Sequence, residues 1–103
     1  LPQLKKYDVT QKVIEALADS ESRAILFSII KKGMTAAELS EKLKIPLSSV
    51  YKKLSDLEEL TLIEVEKWLI SDKGRKFKMY KSRISKADIS IRKPDPVLNL
   101  VPN

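Results

Sequence analysis

The sequence predicts an α+β fold, mainly α, and three observations predict it. Apolar residues recur at helical spacing from Val9 to Leu57. Between Thr35 and Leu60 a proline breaks that pattern into two short helices. After Leu62 the period changes to two, in runs rich in β-branched and aromatic residues around Ser71-Asp72-Lys73-Gly74. With 103 residues, 43% of them hydrophobic, the chain can bury one modest core, so a single domain over 1–103 is expected.

Leu1 to Tyr7 is a polar, basic lead-in with no nameable chemistry. Asp8 can cap a helix over 8–18, with Val9, Val13, Ile14 and Leu17 on one face. Asp19 or Ser20 restarts the pattern for a second helix over 20–32. There Ile25, Leu26, Ile29 and Ile30 form a wide stripe, and Ala24 and Phe27 add a further apolar side. Such breadth suggests burial on more than one side. Lys31 and Lys32 suit a helix C-terminus, and Gly33 is a candidate left-handed cap.

Residues 35–60 are the stretch around which the rest of the chain is organised. Thr35 and Glu38 have capping-box spacing, in which hydroxyl and carboxylate each accept from a backbone N–H at the helix start. Leu39 and Leu43 share a face of that helix, and Pro46 ends it, since the residue before a proline is driven out of helical geometry. Leu47, Val50, Leu54 and Leu57 give the next helix a buried stripe and leave Ser48, Ser49, Tyr51, Lys52 and Lys53 exposed. A helix that enters a major groove needs this combination: a packed face to fix it, and short donors or long cations near its N-terminus to reach bases and phosphates. Ser-rich helix starts and lysine pairs also occur on ordinary solvated faces, so the helix pair alone does not decide the matter.

Residues 62–84 read as a hairpin. Ile63, Val65 and Leu69 alternate with Glu64, Glu66 and Trp68, which places Trp68 on the amphipathic side and leaves the register open. Lys67, Lys73, Arg75, Lys76, Lys78, Lys81 and Arg83 oppose only Glu64, Glu66 and Asp72, so positive charge concentrates here. Residues 87–101 read as a second hairpin: Ala87, Ile89 and Ile91 alternate with polar residues, Pro94 and Pro96 belong to the connection, and Val97 to Val101 is apolar. It can pack on the helices, meet a partner chain or hold a small ligand.

From Val9 to Arg83 this order of elements resembles the winged helix-turn-helix domains of ArsR-like transcriptional regulators, and is similar to MarR-like and TrmB-like domains. The resemblance rests on the capped helix, the Pro-bounded turn, the run LSDLEELTLIEVE and the basic hairpin ending in Tyr80-Lys81-Ser82. It implies that Ser48, Ser49, Tyr51 and Lys52 face a DNA groove and that Asp72 to Lys78 forms the wing. It also implies an N-terminal dimerisation helix, hence a homodimer with reader helices about 34 Å apart on a pseudo-palindromic site. Pro46 stands where the family often has Ser or Thr. Thr61 stands where it usually has Gly, which bears on how the chain leaves the reader helix.

Composition narrows the function. The net charge of +6, from 20 basic and 14 acidic side chains, favours polyanionic partners. The chain has no cysteine and no histidine, which excludes disulfides, thiolate metal sites and Cys or His-assisted Ser nucleophiles, so no metal is expected. The two glycines, Gly33 and Gly74, open no phosphate-cradling loop, so no cofactor is expected either. Glu58 and Glu59 read as a solvated face, and no enzyme is expected. No apolar run spans a membrane, there is no signal-peptide pattern, and a cytoplasmic address is expected.

The resulting expectation is a sequence-specific duplex DNA-binding transcriptional regulator. Ser48, Ser49, Tyr51 and Lys52 lie near base edges, and Lys53, Lys73, Arg75, Lys76 and Lys78 lie on phosphates; any small-molecule effector is unknown. The alternatives are a winged-helix protein-interaction or assembly module and a non-specific architectural DNA binder. RNA binding ranks lower, because Tyr51 and Trp68 are too far apart in kind and place to suggest a stacking platform.

Overall fold

The computed structural model describes residues 6–103, with side chains from Val9 onward. Helix α1 spans Lys6–Ala18 and buries Val13 and Leu17. Its backbone is already helical two residues before Asp8, so Asp8 lies in the first turn and is not the cap. Helix α2 spans Ser20–Ser28 and starts as expected on Asp19, whose carboxylate accepts from the Ser22 N–H at 3.0 Å and from the Ser22 hydroxyl at 2.8 Å. Ile25, Leu26 and Ile29 are fully buried, but Phe27 is 40% exposed, so α2 buries one face rather than several.

Helix α2 stops at Ser28, short of Lys31 and Lys32, and Gly33 does not adopt left-handed geometry. Gly33 is needed for close approach instead. A Cβ there would run into the Glu66 carboxylate and lie 3.0 Å from both the Met79 Cγ and the Tyr80 carbonyl oxygen. The backbone that leaves α2 therefore passes directly against the wing strands.

Strand β1, Met34–Thr35, leads into α3, Ala36–Leu43. The capping box forms: Glu38 N–H donates to the Thr35 hydroxyl at 3.2 Å, and Thr35 N–H donates to the Glu38 carboxylate at 2.8 Å. Helix α3 ends on Lys44, left-handed at φ 58°, and the Ser40 hydroxyl donates to the Ile45 carbonyl at 2.6 Å. Pro46 then precedes α4, Leu47–Glu59, with no side-chain cap. Val50, Leu54 and Leu57 are buried in the core, whereas Leu47, at the open end of the helix, is exposed. Thr61 leaves α4 at φ 60°, the geometry that usually selects glycine.

The wing consists of β2, Ile63–Ile70, and β3, Lys76–Ser82, with β1 on the far side of β3 in the order β1-β3-β2. Gly74 turns the chain at φ 79°, and Ser71 N–H donates to the Arg75 carbonyl at 2.8 Å. The register is broken once: Val65 pairs with Tyr80 and Lys67 with Met79, which leaves Glu66 as a β-bulge. Beyond the bulge Trp68 pairs with Lys78 and Ile70 with Lys76, so Trp68 and Ile70 share the face of Val65 and Leu69 moves to the other. The bulge sets the register that the sequence leaves open and interrupts the alternation of Ile63, Val65 and Leu69.

Strands β4, Ile84–Ser90, and β5, Val97–Pro102, form a separate two-stranded sheet, the expected second hairpin starting three residues early. Pairs Ala87–Leu100 and Ile89–Leu98 make one face apolar, and its root packs on the core. Its base is tied by Asn103, whose amide donates to the Ile30 carbonyl at 2.8 Å and the Ser82 carbonyl at 2.9 Å. Among the described residues no helix is long and apolar enough to cross a membrane.

Two substitutions test these backbone constraints. Gly33→Ala should lower stability by about 1–3 kcal/mol, because the Tyr80 carbonyl cannot yield as a side chain can; urea unfolding without a loss would contradict this. Thr61→Gly should raise stability by up to about 1 kcal/mol through relief of the left-handed strain, read as a higher urea midpoint at an unchanged slope.

Candidate nucleic-acid interface

Successive residues of α4 turn by about 100°. With Val50, Leu54 and Leu57 inward, Ser48 and Lys52 face directly outward, and Tyr51 and Lys53 lie on opposite flanks. Ser48, Tyr51 and Lys52 are exposed and Ser49 is half-buried. The Lys52 ammonium is 4.0 Å from Asp56, with both side chains largely in solvent. Such an exposed i,i+4 pair contributes only a few tenths of a kcal/mol, so Lys52 stays available to a stronger anion. Asp56, Glu58 and Glu59 make the C-terminal half acidic, so only the N-terminal half suits a phosphate backbone.

Lys53 does not join that surface. Its ammonium donates to the Asp19 carboxylate at 2.8 Å and lies 3.7 Å from Glu21, with the side chain only 24% exposed. The hydrogen bond from Lys53, with those from the Ser22 hydroxyl and N–H, holds the Asp19 carboxyl at about 2, below its ordinary 3.8. The same bond raises the Lys53 pKa. Lys53 thus anchors α4 to the N-terminus of α2. No local pattern signals this pairing, because Asp19 and Lys53 are 34 residues apart.

On the wing, Lys73, Arg75 and Lys76 are exposed. Lys78 is half-buried, its ammonium 5.3 Å from the centre of the Trp68 ring, a cation–π contact. Glu66, freed from strand pairing, lies 3.7 Å from the Lys81 ammonium, which also donates to the Lys31 carbonyl at 3.2 Å. These links fasten the bulge to the segment after α2.

Tyr51, Arg75, Lys76 and Lys78 border one groove of about 530 Å³ between the start of α3, the side of α4 and the wing. Ser48, Ser49, Lys52 and Lys73 lie outside its lining. Trp68 and Tyr80 line it too, although the sequence did not single them out as site residues. Tyr51 and Trp68, judged too far apart to act together, are brought to the same groove by the wing folding back. The break in alternation at Glu66-Lys67 was the signal that could have revealed it.

Comparison with known proteins fits this geometry. Residues 17–66 match the family model described as a helix-turn-helix domain. The α3–α4 pair within this segment has the helix-turn-helix arrangement that the family model describes. With the β2–β3 wing after it the domain is a winged helix-turn-helix, as the resemblance implied. Reduced HlyU from Vibrio cholerae N16961 shares the fold, with a TM-score of 0.59 at 19% identity, covering 72% of each chain. NolR from Sinorhizobium fredii shares it with a TM-score of 0.61 at 20% identity, over 80% of this chain and 81% of that one. No curated protein sequence matches the chain.

The Asp19–Lys53 link predicts a pH signature. Because the folded pKa of Asp19 is depressed, its contribution to stability is fully present above the unfolded value of 3.8 and is lost as pH falls through about 2. For Lys53, whose pKa is raised, the contribution is present below 10.5 and is lost as pH rises beyond it. Urea unfolding of Lys53→Ala should show lower stability at neutral pH and a smaller loss than the wild type between pH 4 and 2. An unchanged acid limb would mean that the pair contributes nothing.

Proposed function

We propose that this winged helix-turn-helix protein is a cytoplasmic transcriptional regulator that reads duplex DNA by sequence. The observation that carries the reading is that Tyr51, on the flank of the exposed N-terminal half of α4, and the wing cations Arg75, Lys76 and Lys78 border one groove. A single polyanion can therefore meet both. Ser48, Ser49, Tyr51 and Lys52 take the base edges in the major groove. Lys73, Arg75, Lys76 and Lys78 take phosphates. Lys53 leaves the phosphate set, because its ammonium is occupied by Asp19.

The working form is a homodimer. Exposed apolar side chains remain on α1 at Val9 and near the tip of the second hairpin at Ile89, Ile91 and Val97, and a second copy would cover them. Two reader helices related by a two-fold axis about 34 Å apart match successive turns of one DNA face and select an inverted repeat.

Binding to a selected sequence and to a random duplex, each titrated with salt, tests this reading. Lys52→Ala should weaken the selected site by roughly 1–3 kcal/mol and the random duplex much less. Lys76→Ala should weaken both alike and reduce the logarithmic salt slope by about 1. Lys53→Ala should leave that slope unchanged. Equal losses on both duplexes for every α4 variant would leave only non-specific binding, and no duplex binding at low salt would favour a protein-interaction module.

A further inference from the structure

The groove between α3, α4 and the wing has features that an intact duplex leaves unused. Its volume of about 530 Å³ is typical of sites for drug-sized ligands. The capping box satisfies the N–H groups of Thr35 and Glu38, while helix geometry leaves those of Ala36 and Ala37 without intrahelical partners, and both of these residues line the groove. Such a helix start attracts anions.

A second, independent feature lies beside it. Tyr80 is only 6% exposed and lines the same groove; among the described residues no hydrogen bond holds its hydroxyl, which therefore keeps contact with solvent, since no buried side-chain polar atom there lacks a partner. Burial, with Glu58 and Tyr51 nearby, raises its pKa, so the hydroxyl remains a neutral donor. Across the groove Tyr51 and Trp68 are 52% and 56% exposed. The bulge at Glu66 puts Trp68 on this side, and Lys76 and Lys78 share its face of the sheet.

In a duplex every base face is covered by its neighbours. Phosphates could reach the α3 N-terminus, but nothing flat would meet the rings. An unstacked base offers a face, and aromatic residues in cationic grooves use it without regard to sequence.

We propose that the groove binds a nucleotide unit with an unstacked base, the phosphate on the α3 N-terminus and the Tyr80 hydroxyl, the base against Tyr51 and Trp68. That chemistry has two sources, a free mononucleotide or an unpaired nucleotide within a strand. Neither requires sequence-specific duplex binding, so the two readings fail separately.

Trp68 is the only tryptophan of the chain, so its emission reports the groove directly. The full chain at low salt would be titrated with deoxyadenosine monophosphate, with a four-nucleotide single strand, and with inorganic phosphate, each followed by fluorescence and by calorimetry. Saturable binding of the mononucleotide, with quenching of Trp68, supports the proposal and assigns a free nucleotide. Saturation by the tetranucleotide alone supports it and assigns an unpaired nucleotide of a strand. Tyr80→Phe should weaken nucleotide binding roughly tenfold while duplex affinity stays the same, and Tyr51→Ala should weaken it about fivefold or more. No saturable binding by either method overturns the proposal. So does binding of inorganic phosphate as tight as that of the nucleotide, or nucleotide binding unaffected by both variants.

Discussion

The extra residue that β2 carries between Val65 and Lys67 determines which side chains of the wing face the groove beside α4. A strand alternates its side chains strictly, so an unpaired Glu66 moves every later residue of β2 to the opposite face. Trp68 and Ile70 consequently join Val65 on the face shared with Lys76, Lys78 and Tyr80. The bulge is held from outside the strand. Glu66 reaches Lys81, Lys81 reaches the Lys31 carbonyl, and Gly33 lets the chain pass close enough for the Glu66 carboxylate to lie over it. The position of the wing is therefore coupled to the end of α2.

Helix α4 is fixed by two different kinds of contact. Its apolar stripe is buried with almost no solvent access, which supplies most of the adhesion. Adhesion of this kind is non-directional, and the Lys53–Asp19 link adds direction by tying the helix to the cap of α2. Fixing the helix in rotation determines that Ser48 and Lys52 point outward and that Tyr51 turns toward the wing. Charge follows the same division, with acidic groups gathered at the C-terminal half of α4 and cations on the hairpin.

Local signals in the chain were legible where short-range physics dominates. The capping box at Thr35, the break at Pro46 and the turn at Gly74 involve residues within a few positions of one another, and each formed as read. The Asp8 cap failed because helix starts are weakly specified when the preceding residues can also be helical. Its place after α2 suggests a conformational role for Gly33, yet its need is steric, imposed by strands that lie far along the chain. Lys53 resembled its neighbour Lys52 in type, and only a partner 34 residues away set it apart.

The sequence by itself determined the fold class, the helix-turn-helix pair, the two hairpins and the concentration of positive charge. These follow from periodicity, capping and turn chemistry, which act over less than about two helical turns. Tertiary structure alone decided the face on which Trp68 lies, the withdrawal of Lys53 from the surface and the meeting of Tyr51, Trp68 and Tyr80 in one groove. Each depends on residues brought together from distant parts of the chain, and a bulge of one residue suffices to reverse a face that alternation would otherwise assign.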